Sequence, residues 1–208
     1  MSSEQLNVTV TYLEQTSRPV LRSCPVPNVP MALMRVNNPP IHYYRYLYDL
    51  IGSPFNWVSR TIMRDEDLIN IITHPRVFIY ILYVEGVPAG FAEIDARHPS
   101  IPEIKFFGLA HDFIGKGFGR YFLTQVIDLA WMCGAPGEDS QPAPSNSAPA
   151  HMPGHESGVK CVRLETCTLD HPAALPLYQK MGFCVIDQRK GTVPRLPGYK
   201  MPADMDRT

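Results

Sequence analysis

Charge of one sign is what this chain most plainly lacks. Its 19 lysines and arginines meet 20 aspartates and glutamates, for a net charge of −1. Without a basic excess there is no electrostatic footing for generic nucleic-acid binding, and none is expected. No apolar run approaches the roughly 18 residues that span a bilayer, so no membrane partner is expected either. The opening Met1-Ser-Ser-Glu-Gln5 lacks the charged and apolar regions of a secretory leader. Cysteine is sparse and unpatterned: Cys24, Cys133, Cys161, Cys167 and Cys184 form an odd set with no CxxC pair. They are read as reduced thiols of a cytoplasmic protein, with no metal site expected. What remains is an ordinary globular composition, 45% hydrophobic over 208 residues, enough for one domain with a substantial core.

Prolines are many, 21 in all, but they cluster and so mark loops. Residues Asn7 to Leu13 alternate as a strand and lead into a proline-broken stretch through Pro40. Ile41 to Ile51 places large apolar residues at helical spacing before Gly52. Asp65 to Thr73 reads as a second short helix opened by acids. Val77 to Val84 and Val87 to Ala96 read as a hairpin turned by Glu85-Gly86, and Glu103 to Leu109 as a third strand. Phe122, Leu123, Val126, Ile127 and Ala130 form one helical stripe ahead of Gly134. Residues 135–158 are rich in Pro, Ser, Ala and Gly and poor in large apolar groups; they are read as a disordered insertion within a single domain spanning 1–208. Val159 to Leu169 resumes as a strand. Pro172 to Met181 reads as a helix with Asp170 or His171 as its cap, and Phe183 to Asp187 as a last strand. The order predicts a mixed α/β architecture, a central sheet flanked by helices.

The most informative stretch runs from Glu103 to Arg120, where a strand enters a glycine-rich turn and the turn enters a helix. Helix starts leave N–H groups unpaired and carry partial positive charge, so Gly115, Gly117 and Gly119 read as an anion cradle. A P-loop does not fit, because Gly108 is misplaced and Gly117 occupies the Ser/Thr slot. A dinucleotide fingerprint does not fit, because Gly115, Gly117 and Gly119 are wrongly spaced and follow a hairpin. The acyl-CoA pyrophosphate pattern, [QR]-x-x-G-x-[GA], fits with Gly117 and Gly119 in its glycine slots. A plain tight turn with a helix start is the bland alternative.

Two motifs in order, Leu109-Ala-His-Asp-Phe-Ile-Gly-Lys-Gly-Phe-Gly-Arg120 and Asp170-His-Pro-Ala-Ala-Leu-Pro-Leu-Tyr-Gln-Lys-Met-Gly-Phe183, resemble the GNAT superfamily of N-acetyltransferases. The resemblance covers roughly Val77 to Asp187, apart from the insertion. It implies a mostly antiparallel mixed sheet with a splayed strand pair at the acyl-CoA site, and acetyl-CoA as co-substrate. Phe107, Gly108, Leu109, Ile114, Gly115, Lys116, Gly117, Phe118, Gly119, Arg120, His171 and Tyr178 are the implied cofactor contacts. Ile114 stands where the family usually has Gln or Arg, and His171 where it usually has Asn. The first departure implies one side-chain contact to pyrophosphate fewer.

Amine acetylation needs a neutral nucleophile, a route for its proton and a stabilised oxyanion. Glu103 is the leading base, expected to share a strand face with Leu109. Glu93, amid apolar neighbours, is the second candidate, and Glu165 the third. Each has a structural alternative as an edge or surface carboxylate. Tyr178 is the candidate acid for the departing thiolate, against a role in core packing. Cys167 is read as a structural thiol rather than an acyl-carrying nucleophile. Tyr44, Tyr48, Trp57 and Glu93 are the candidate acceptor-binding residues, with core packing the alternative for the rings. The expected acceptor is a small-molecule or peptide amine, and the final strand or N-terminal arm is a candidate homodimer edge. An acyl-CoA-binding sensor without turnover is the alternative from another class.

Overall fold

A computed structural model of the chain describes residues 4–19, 25–133 and 158–200. The expected insertion lies outside the described residues apart from Gly158. Among the described residues seven strands form one sheet: β1 (Gln5–Gln15), β2 (Met31–Val36), β3 (Val77–Val84), β4 (Val87–Asp95), β5 (Glu103–Leu109), β6 (Val162–Cys167) and β7 (Cys184–Pro194). Four α-helices among the same residues flank it: α1 (Ile41–Gly52), α2 (Asp65–Ile72), α3 (Phe118–Met132) and α4 (Ala174–Lys180). The strand order is β2-β3-β4-β5-β6-β1-β7. Every neighbouring pair is antiparallel except β5 and β6.

The sheet is buried on both faces at its centre, which explains why β3 reads as an unbroken apolar run rather than an alternation. Phe78, Tyr80, Leu82 and Val84 pack with Phe122, Leu123, Val126 and Ile127 of α3. The intervening Ile79 and Ile81 pack with Tyr44, Leu47 and Ile51 of α1 and with Leu68 of α2. The sheet therefore separates an α3/α4 side from an α1/α2 side.

Two elements differ from expectation. The stretch before Pro40 contains β2, which pairs with β3 from Met31↔Val84 to Val36↔Ile79. Met-Ala-Leu-Met-Arg-Val lacks alternation because it is a half-buried edge strand, and flanking prolines hid it. The last strand runs on to Pro194, because β1 offers it a partner along almost its whole length, from Glu14↔Cys184 to Gln5↔Pro194. Its exposed and charged residues gave no periodicity to read.

Candidate functional site

The decisive feature is where the one parallel pairing ends. β5 and β6 are in register only at Glu103↔Arg163 and Ile104↔Leu164. Beyond that point they part, and a cavity of about 670 Å³ opens through the sheet between them. Val8 of β1 and Val193 of β7 close the cavity on the far side. Among the described residues, strand hydrogen-bonding groups of β5 from Phe106 onward thus have no β6 partner, a row to which an extended ligand can pair.

At one end of the slot lies the glycine turn. Gly115 and Gly117 have φ of 78° and 88°, the left-handed region that glycine enters without penalty. A methyl group added at either would meet nothing within 4 Å, so both face open space. No side chain caps α3, whose first turn begins at Phe118. Gly115, Gly117, Gly119 and Arg120 line the slot. Uncapped N–H groups, a helix start and a nearby cation make a site for a phosphate.

The opposite end is built by the segment after α1. Phe55, Asn56, Trp57 and Ser59 line the slot with Tyr48 and Phe106. The Trp57 ring lies 5.3 Å from that of Tyr48 and 5.2 Å from that of Phe106. Gly108 is required here, because a Cβ on it would sit 2.5 Å from Ile51 Cγ2. Trp57 also spans the parted strands: its Nε1 donates to Asp170 Oδ1 at 3.3 Å. Asp170 is held by two further donors, Thr166 Oγ1 at 2.7 Å and the Cys167 N–H at 2.8 Å. Phe55 stacks edge-on against His171, at 6.2 Å.

The family model described as Acetyltransferase (GNAT) family matches residues 44–138. Over that segment the chain is similar to the GNAT acetyltransferases. Three solved structures share the fold. A functionally unknown conserved protein from Staphylococcus epidermidis ATCC 12228 is 14% identical, with a TM-score of 0.55 over 92% of this chain and 63% of that one. A GNAT-family protein from Novosphingobium aromaticivorans DSM 12444 is 16% identical, with a TM-score of 0.53 over 91% and 66%. A tandem GNAT protein from the clavulanic acid biosynthesis pathway is 11% identical, with a TM-score of 0.51 over 91% and 54%. The chain spans less than two thirds of the length of each. No curated protein matches it in sequence.

On this GNAT frame most of the expected cofactor contacts meet. Phe107, Gly108, Leu109, Ile114, Gly115, Gly117, Gly119, Arg120, His171 and Tyr178 all line the slot. Two do not. Phe118 is buried in the α3 core against Phe113, because it begins the apolar stripe of the helix. Lys116 lies outside the lining, its Nζ 6.0 Å from the Phe113 ring. Tyr178 packs near Phe107 and Phe183. Burial, and secondarily the charge of Asp170, raise its pKa well above that of an ordinary phenol, so the hydroxyl stays protonated. Among the described residues nothing hydrogen-bonds that hydroxyl.

The expected bases fare differently. Glu103 and Leu109 do not share a face. Pairing with β4 shifts from Ile94↔Ile104 to Glu93↔Phe106, leaving Lys105 as a bulged residue that inverts the alternation. Glu103 lies outside the slot lining and binds Lys105 Nζ at 2.9 Å. Glu93, on β4, is fully buried, ion-paired with Arg60 at 2.6 Å and hydrogen-bonded by the Tyr44 hydroxyl. Tyr44 is equally buried, and neither it nor Glu93 lines the slot; Trp57 does, as does Tyr48, itself only 2% exposed. The carboxylates that do line the slot are Glu165, 3.2 Å from Lys105 Nζ, and Asp170. Lys105 loses to burial but gains more from Glu103 and Glu165, and its pKa is raised. Asp170 turns back onto β6 instead of capping α4, whose N-terminal residue has no side-chain cap.

Cys167 lines the slot, but burial, then Asp170, raise its thiol pKa and keep it from being a ready nucleophile. Among the described residues no group of three His, Cys, Asp or Glu side chains is arranged to hold a metal. None of the described helices is long and apolar enough to cross a membrane. Asp170, Lys105, Phe106 and Ser59 were missed in the sequence. Asp170 alone left a trace there, standing next to His171 at the head of the second motif.

Proposed function

We propose that this chain transfers an acetyl group from acetyl-CoA to a primary amine by direct attack in a ternary complex. The observation that carries it is the parting of β5 and β6 between a glycine turn and a carboxylate-bearing aromatic wall. The N–H groups of the glycine turn and Arg120 would hold pyrophosphate, while unpaired β5 backbone from Phe106 to Leu109 pairs with the pantetheine arm. An alkyl ammonium titrates near 10, so a carboxylate in the slot must take its proton before attack. Glu165 and Asp170 are the two carboxylates that line it. The neutral amine then forms a C–N bond at the thioester carbon as the C–S bond breaks; the attacking nitrogen gives up its surplus proton to water, and Tyr178 hands a proton to the leaving sulfur and is reprotonated from solvent. A free thiolate is a good leaving group, so this last transfer contributes modestly.

The test is release of free thiol from acetyl-CoA across a panel of amines and peptides. Amine-dependent thiol release with an acetylated amine by mass spectrometry is expected. Tight acetyl-CoA binding without release from any amine would make the chain an acyl-CoA sensor instead.

A further inference from the structure

The wall opposite the glycine turn has a chemistry of its own. Its lining is aromatic, with Tyr48, Phe55, Trp57 and Phe106 on one side and Val8 and Val193 on the other. Set into it is the carboxylate of Asp170, whose partners among the described residues are three neutral donors: the Trp57 indole, the Thr166 hydroxyl and the Cys167 amide. Those donors fix the carboxylate in one orientation, and no cation among the described residues ion-pairs with it. A fixed, uncompensated anion in an apolar recess favours a cation that arrives with the ligand. The other charges do not change the sign: Lys105 is already shared between Glu103 at 2.9 Å and Glu165 at 3.2 Å.

Resting on the acyl-transfer reading, we infer that the acceptor is a compact monoamine with an apolar, preferably aromatic, body, its ammonium seated on Asp170 and its body against Trp57, Tyr48 and Phe106. Two rival amine classes fit the wall poorly. An α-amino acid brings a carboxylate toward Asp170 and Glu165, and Lys105 is too engaged to receive it. A polyamine would leave further ammonium groups against aromatic and aliphatic lining without partners. The rings also reward a cation directly, since an ammonium attracts the faces of Trp and Tyr.

Two readouts test this, one independent of turnover. In calorimetry, phenethyl-trimethylammonium, which cannot be acetylated, should bind the wild-type chain and lose about tenfold in affinity in Asp170→Asn. Neutral phenethyl alcohol should bind both forms alike, which a merely structural role of Asp170 would not produce. In turnover, phenethylamine should exceed phenylalanine and spermidine in kcat/KM by at least about tenfold, a margin within reach of one charge or apolar contact. Equal cation binding by Asp170→Asn, or preference for the amino acid or the polyamine, overturns the inference. Absence of thiol release with every amine, while the cation still discriminates wild type from Asp170→Asn, would sink the acyl-transfer reading and leave the cation site standing.

Discussion

The two ends of the slot are made of different material. The glycine end is backbone: N–H groups of a turn and a helix start, cleared of side chains at Gly115 and Gly117. The aromatic end is side chain, drawn from α1, the segment after it, β5 and the turn after β6. A backbone site needs one stretch of chain and the right residues at fixed spacing. A side-chain site exists only once distant elements have met. The first can be kept through large sequence change, and the second can be re-cut for a new acceptor by a few substitutions.

The sharpest way to break the comparison is to fill the glycine end. Gly117→Glu puts a bulky anion where φ is 88° and where phosphate would sit. A side chain there costs roughly 1 kcal/mol in backbone strain, and its charge repels pyrophosphate. Acetyl-CoA affinity should fall by at least about a hundredfold, some 2.7 kcal/mol, while circular dichroism shows an intact fold. Unchanged affinity by calorimetry would remove the glycine end from the site.

That contrast also accounts for what could be read from residues alone. Gly115, Gly117 and Gly119 announce themselves within five positions, and Tyr178 sits in a second local motif. The helices were equally legible by their period, and the central strands by their β-branched and aromatic residues between turn signals. Glu103 lies outside the slot because one bulged residue, Lys105, inverts a strand's faces, and no composition rule marks a bulge without glycine. Glu93 lies outside it for another reason. Its apolar neighbours correctly indicated burial, but its partners Arg60 and Tyr44 lie 33 and 49 positions away. Asp170 faces the slot only because Thr166 and Trp57 hold it, and Trp57 is 113 positions distant. Pairings across such separations belong to topology.

The second prediction separates the aromatic end from the core beneath it. Arg60 donates to Glu93 at 2.6 Å and lies 5.3 Å from the Phe106 ring, so the buried pair supports the wall without entering the slot. Glu93→Gln leaves the guanidinium buried and uncompensated, and should cost about 3–5 kcal/mol in urea unfolding. Replacing both partners with Arg60→Met and Glu93→Leu should recover most of that loss. If Glu93 were the base, Glu93→Gln would flatten the rising limb of the pH–rate profile with pH. The expectation is that the limb persists in the folded variant, and that Glu165→Gln or Asp170→Asn removes it.

The smallest expected effect lies where the two ends meet, at Tyr178. Because the thiolate leaves readily, Tyr178→Phe should lower kcat only about tenfold, below the roughly hundredfold or more that general acids typically contribute. Burial raises the phenol's pKa in the folded state. The folded chain therefore holds this proton more tightly than the unfolded chain, so the stabilisation is complete below the unfolded phenol's value, near 10. It is lost as pH rises from there toward the folded value. The wild type should thus lose stability steeply above about pH 10, and Tyr178→Phe less steeply, with Tyr43, Tyr44, Tyr48, Tyr80 and Tyr199, whose pKa values are raised by burial too, contributing to the remaining slope. Melting curves from pH 8 to about pH 11 measure it. Equal slopes in the two proteins would mean that the Tyr178 hydroxyl is hydrated rather than buried, and a hydrated phenol would lose its claim as the acid.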